Sequence, residues 1–403
     1  MRSAAAVLTL GTLAVLAVPR SVSAIPAFAR RYEQSCTTCH QFHYPRLNAL
    51  GRRFQENGYQ LPDGAEDPAR ARRTVEPGTI AEDLAVFKEV PLSVRGQVLG
   101  VIPIDAEAQD QPVWDTRVFS YLAGGGSVAR DVSFFMSFTP FPDAVLHQAR
   151  IGLHNLLEDW IGEGTLHFRA GALLLLDFSR PAHRFLAPAP DRIGAVSVGQ
   201  NLFRLDDPAF GAQINGRPGW GPLHYELAVV AGDPGPEGTE RDDWKDAFAR
   251  ASYTLFHDTD HELLLGALGY LGRSDIQTDL GGVVLAQRDD FWLAGGEVEW
   301  DIGPVNLFGM GYVRRHSDPL PDGRTVWLRA YRTEAHWLVH RRITASLRYE
   351  QVISDDLPSL RERALTPHLS YLIATNVVAA GVARLDLRDM DRGSVVLVLD
   401  AAF

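Results

Sequence analysis

From about residue 91 to Phe403 the chain alternates apolar and polar residues with period two, and clusters of Gly, Asp and Pro interrupt it at regular intervals. Over 343–350, Ile343, Ala345, Leu347 and Tyr349 occupy one face, and Thr344, Ser346, Arg348 and Glu350 the other. Over 292–302, Trp292, Val298, Trp300 and Ile302 oppose Glu297, Glu299 and Asp301. Over 377–388, Ala379, Gly381, Ala383, Leu385 and Leu387 oppose Arg384, Asp386 and Arg388. Successive strand side chains point to opposite faces. The pattern therefore describes a sheet with one charged face and one apolar face. It predicts sixteen strands at 92–104, 115–123, 128–141, 145–157, 164–176, 208–217, 220–231, 246–257, 260–274, 289–301, 303–316, 325–339, 341–353, 363–373, 376–388 and 393–403. Most run ten residues or more. Globular strands average about 5–6 residues, whereas tilted membrane strands need about 9–11.

The connections alternate too. Tight turns at 124–127, 217–219, 257–260, 301–304 and 374–376 are separated by long connections at 105–114, 177–207, 232–245, 275–288, 317–324 and 354–362. Only 142–144 breaks the rhythm. Short turns on one side and long loops on the other are the outer-membrane pattern. The competing reading is a soluble sandwich whose apolar face packs on a second sheet. Trp114, Phe119, Tyr121, Trp220, Tyr225, Phe291, Trp292, Tyr331 and Trp337 fall near predicted strand ends, where interface girdles belong. The expected fold is mainly β: a sixteen-stranded antiparallel transmembrane β-barrel over 91–403, with a small N-terminal helical head.

Ahead of the barrel lie three further zones. Residues 1–24 read as a signal peptide, with Arg2, an apolar run over 4–18 and a small-residue cleavage site at 22–24. Residues 25–60 carry helical spacing. Residues 61–90 read as a linker rich in charge, Pro and Gly. The formal charge of −11, without basic blocks, argues against a nucleic-acid partner.

The two cysteines, Cys36 and Cys39, are followed at once by His40. This spacing is that of c-type haem attachment. Two thiols three residues apart reach the two vinyl groups on one porphyrin edge, and the next residue offers an imidazole to the iron. A Cys36–Cys39 redox pair would normally sit beside a βαβ unit, and a zinc site with His40 and His43 would be crowded. In the same stretch, Phe28, Tyr32 and Cys36 recur at i, i+4, i+8. Pro45 suits the first turn of a second helix carrying Leu47, Leu50 and Phe54, and Asn57-Gly58 reads as its stop. Arg52 and Arg53 are candidate propionate partners. His43 is too close to His40 to reach the opposite haem face. Met136 and Met310 are the candidate sixth ligands, lumen-facing if their strands are so phased. His147, His154, His167, His336 and His368 read as lumen hydrogen-bonders. His257 and His261 flank a predicted periplasmic turn, with a metal there as the remoter reading.

Phe28-Ala29-Arg30, Cys36-x-x-Cys39-His40, Pro45-x-Leu47, Gly51-Arg52-x-Phe54 and Gly58-Tyr59, ahead of a sixteen-stranded pattern, resemble the porin-fused outer-membrane monohaem cytochromes. The match covers about 35 residues of the head and is architectural over the barrel. A terminal strand closing on Phe403 likewise resembles the signal read by the bacterial barrel-assembly machinery. The family resemblance implies one covalent haem c in or under a barrel mouth, held by Cys36, Cys39 and His40. It implies electron transfer between an extracellular donor or acceptor, ferrous iron in the best-known members, and a periplasmic c-type cytochrome or copper protein. Four residues, Gln41 to Tyr44, separate His40 from Pro45, one more than in the iron oxidisers, so electron transfer carries over ahead of iron. Two other expectations stand beside it: a diffusion porin with a periplasmic cytochrome head, and a haem enzyme acting on peroxide or nitrogen oxides. No acid–base pair or nucleophile constellation points to hydrolysis. The 177–207 loop, about thirty residues long, is expected to fold inward as a constriction, to cover the haem, or to be disordered. The acidic loop carrying Glu237, Glu240, Asp242 and Asp243 is expected to be solvated.

Overall fold

The computed structural model describes residues 28, 32, 36–40, 46–61, 92–104, 115–129, 131–141, 144–179, 192–232, 244–257, 261–279, 284–374, 377–389 and 393–402. Sixteen strands follow the predicted order: β1 Leu92–Pro103, β2 Asp115–Ala129, β3 Val132–Phe141, β4 Val145–Leu153, β5 His167–Leu174, β6 Pro208–Gly216, β7 Leu223–Ala231 and β8 Lys245–His257. The second half holds β9 His261–Asp279, β10 Val284–Ile302, β11 Val305–His316, β12 Val326–His340, β13 Ile343–Ile353, β14 Glu362–Ala374, β15 Val377–Asp386 and β16 Ser394–Ala402. Each pairs antiparallel with its sequence neighbours, and β1 pairs with β16, from Arg95↔Ala402 to Pro103↔Ser394, closing the barrel. No helix among the described residues is long and apolar enough to cross a membrane; the strands do the crossing.

The period-two pattern is realised as wall faces. In β12, Arg332, Glu334 and His336 are buried in the lumen, while Trp327, Tyr331 and Trp337 are exposed outside. Leu227, Leu271, Leu347 and Leu369 are likewise exposed on the outer wall. An apolar outer belt on a closed barrel is a lipid-facing surface.

Three differences from the sequence pattern have physical causes. The 124–127 glycines are not a turn: β2 runs through them, with Gly125 opposite Phe135. A Cβ at Gly125 would come within 2.7 Å of the Phe135 ring, so small residues here make room for an aromatic on the next strand. The 275–288 loop is also absent: β9 and β10 stay paired as far as Val284↔Asp279, each nineteen residues long. And Phe291 is no girdle residue. It points inward with Leu293, Phe308, Tyr312 and Leu328, and the inward-folded stretch carrying Leu176, Ile193, Val198, Phe203 and Leu205 packs on them. Where that stretch lies, both faces of the wall are apolar. Of the 177–207 connection, the described part therefore folds inward.

Two short helices precede the barrel: α1, Cys36–Cys39, and α2, Ala49–Glu56. The expected signal peptide, the linker, His43, Pro45, Trp114 and the acidic 237–243 loop lie outside the described residues. Thirty residues, 62–91, separate the head from β1.

Candidate functional site

Asn48 organises the head. Its side chain accepts from Gly51 N–H at 2.9 Å, capping α2. The same side chain donates to the Thr38 carbonyl at 3.0 Å, and the Asn48 amide donates to the Cys39 carbonyl at 2.9 Å. The α1 turn is thus tied to the start of α2, which begins at Ala49 rather than at Pro45. Gly51 sits directly on the Cys39 carbonyl, where a Cβ would collide. His40 forms an antiparallel bridge with Leu47, and its Nδ1 lies 3.1 Å from the Arg46 carbonyl. A carbonyl only accepts, so Nδ1 carries the proton and the ring lone pair is on Nε2.

Phe28, Tyr32, Phe54 and Tyr59 form the head's own core, with ring centroids 4.7–5.9 Å apart. Tyr59 also stacks on Phe135 of β3 at 5.2 Å, joining that core to the barrel wall.

The head lies inside the mouth on the side of the short turns, which is the periplasmic side of such barrels. Charged bonds hold it around the rim. Arg46 pairs with Glu299 at 2.9 Å and with Asp301. Arg52 pairs with Glu262, which also meets His257 at 2.8 Å. Glu56 receives both ends of the Arg217 fork at 2.8 and 2.9 Å. Arg169 donates to the Gln55 and Glu56 carbonyls at 2.8 and 3.1 Å, and Arg150 to the Tyr59 hydroxyl at 2.8 Å. Burial alone would raise the Glu56 carboxyl, but His224 and Arg217 outweigh it and hold it down at about 2.

From inside the barrel, Gln55 donates to Asp177 at 2.9 Å. Asp177 also pairs with Arg150 at 3.1 Å, and Phe178 packs under Arg169 and against His224. The root of the inward stretch thus rests on the head and on the residues that grip it.

The expected site residues separate clearly. Cys36 and Cys39 begin and end the α1 turn, and His40 follows it directly. Arg52 and Arg53 have barrel partners, Arg53 reaching the Trp220 carbonyl at 3.4 Å. Met136 leaves the ligand set: it is exposed on the outer wall, on the face opposite the inward-stacked Phe135. Met310 does face the lumen, but inside the apolar core beneath the inward stretch. His154 bonds Ser133 at 2.7 Å, His147 bonds Thr139 at 2.8 Å and His336 bonds Ser346 at 2.8 Å, as lumen hydrogen-bonders do. His257 belongs to the ion-pair belt. Arg46, Gln55, Glu56, Arg217 and Asp177 were not marked by sequence, since their partners lie more than a hundred residues away along the chain.

No family model and no curated protein sequence matches the chain. Solved structures do. The chain is similar to Salmonella typhi OmpF in complex with daunomycin, at 10% identity over 77% of this chain and 97% of that one, TM-score 0.53. It is similar to the anion-selective porin from Comamonas acidovorans, at 13% identity over 78% and 99%, TM-score 0.51. It is also similar to the loop-L8 deletion mutant of Vibrio cholerae OmpT, at 10% identity over 78% and 99%, TM-score 0.51. The fold is that of a porin. At these identities the likeness is one of architecture.

Proposed function

We propose that the chain is a porin-type outer-membrane protein whose periplasmic mouth holds a cytochrome-like head. The observation that carries this is the closed sixteen-stranded barrel with an apolar outer belt and a charge-rich lumen at the head's end. A barrel of this size passes small polar solutes unless its interior is filled. Liposomes containing the purified protein test that activity: uptake of small sugars is expected to be slow with the head docked, and uptake at the rate of an open porin contradicts a filled mouth.

A second reading makes the same molecule an electron-transfer protein, and one observation favours it. His40 donates through Nδ1 to a backbone carbonyl, the arrangement that orients an imidazole to offer Nε2 to a metal. The group that fits is one haem c, which Cys36 and Cys39 would hold covalently and whose iron His40 would ligate. Bound there, haem supplies reversible one-electron chemistry. The chain's own residues do the rest. Asn48 fixes the attachment turn, Gly51 allows its close approach to α2, and the rim ion pairs hold the head in the mouth. The lumen-facing Arg314, Arg332 and Arg348 are fully buried, which describes a filled interior and favours electrons over bulk solute. A pyridine-haemochrome spectrum of the outer-membrane fraction is expected to show haem c, absent from the His40→Ala and Cys39→Ala variants. A colourless wild-type protein rules the reading out.

A further inference from the structure

The extracellular ends of β13–β15 carry an arginine-lined pocket at the rim of the wall. Arg363 shares the outward face of β14 with Leu369, Tyr371 and Ile373, while Ala364 and Thr366 point inward. Gln351 lies between the Tyr331 and Tyr349 hydroxyls and Arg363; with its amide turned to satisfy both sides, it accepts from Arg363 at 2.9 and 3.2 Å. Arg361, Arg388 and Asp355 complete a cavity of about 400 Å³. Its carboxylates are already engaged: Asp355 with Arg329 and Arg361 at 3.1 and 2.8 Å, and Glu362 with Arg192 of the inward stretch at 2.6 Å. Arg388 donates to the Arg361 carbonyl. Among the described residues, Arg363 and Arg388 pair with no carboxylate. Arg363 faces outward, and Arg388, past the end of β15, is exposed and lines the same cavity.

Further down the same strands the outer wall is hollow. Ala345, Gly381 and Ala383 floor a depression of about 610 Å³, bounded by Trp337, Leu347 and Leu369. Ala345 is opposite Leu369, which is opposite Gly381, so the floor crosses three adjacent strands. Gln351 is six positions from Ala345, roughly 20 Å along a strand. Half of the apolar layer is about 15 Å deep.

We propose that these features form one site for a phosphorylated lipid of the outer leaflet, its phosphate on Arg363 and Arg388 and its acyl chains in the depression below. Guanidinium forks match phosphate oxygens, and the hollow accepts chain volume that a smooth wall would leave in bulk lipid. The site rests on the outer-membrane placement.

Native mass spectrometry of the protein released in mild detergent tests it, together with titrations of lipid A micelles and of inorganic phosphate. Wild type is expected to retain a phosphorylated lipid. Arg363→Gln with Arg388→Gln should weaken lipid A binding roughly tenfold or more, since hydrogen bonds from guanidinium to phosphate are charge-assisted. Gly381→Leu, which fills the hollow, should lower lipid retention while leaving any response to inorganic phosphate unchanged. Heat-modifiable gel mobility verifies that each variant is a folded barrel. Equal lipid retention in wild type and both variants overturns the site, and so does displacement of the lipid by inorganic phosphate. A barrel that fractionates with the outer membrane but holds no lipid loses the site alone; one that does not fractionate there loses both readings.

Discussion

Glu56 is buried to 3% against both arms of Arg217, on the last turn of α2. Its carboxyl titrates near 2 instead of 4.5, so the docked head gains stability that is complete above about pH 4.5 and is lost as pH falls toward 2. The head is therefore expected to leave the mouth in that acid window, read as protease cleavage within 46–61 while the barrel stays intact. Glu56→Gln strands Arg217 as a buried charge, costing about 3–5 kcal/mol, and should release the head at pH 7. Gly51→Ala acts on the other side of α2. Its methyl meets the Cys39 carbonyl, so on the proposed haem reading the haem c content per barrel should drop several-fold with gel mobility unchanged; wild-type haem content in this variant would falsify the packing argument. Of these residues only the proposed attachment set, Cys36-x-x-Cys39-His40, stands out in the sequence, because such chemistry would fix residue types at short range. The partners of Arg46 and Glu56 lie 161 to 255 residues away, and nothing local encodes them.

Among elements, strand existence and order follow from alternation, since a two-sided wall imposes period two wherever one face meets lipid. Boundaries failed where another element intruded. The glycines of β2 look like a turn because their role, yielding space to Phe135, belongs to the neighbouring strand. Phe291 looks like a girdle aromatic because the segment that buries it comes from 192–205. That inward stretch also yields a prediction. Asp177 ties its root to Gln55 at 2.9 Å and to Arg150 at 3.1 Å. Asp177→Asn combined with Gln55→Leu should loosen it, raising single-channel conductance in planar bilayers several-fold with frequent closures. Conductance identical to wild type would mean that the head does not set the constriction.

For the whole molecule, the barrel is a closed sheet without free edges, which removes the usual route to edge pairing. It should migrate as a compact band in SDS before heating and as an extended chain afterwards; a single unchanged band would be at odds with a closed wall. The architecture was readable from strand length and loop rhythm, and an inward-folding 177–207 loop was among the options its length allowed, but the contacts that fill the interior were not readable, because they join segments more than a hundred residues apart. One further consequence concerns the thirty residues between Leu61 and Leu92. Thirty residues of chain span at most about 100 Å. A head that slips free therefore stays at roughly millimolar local concentration. Even if the free head bound the rim with only micromolar strength, re-entry would win by about a thousand to one. Weakening the rim thus changes the fraction of time spent out, independent of how much protein the cell makes.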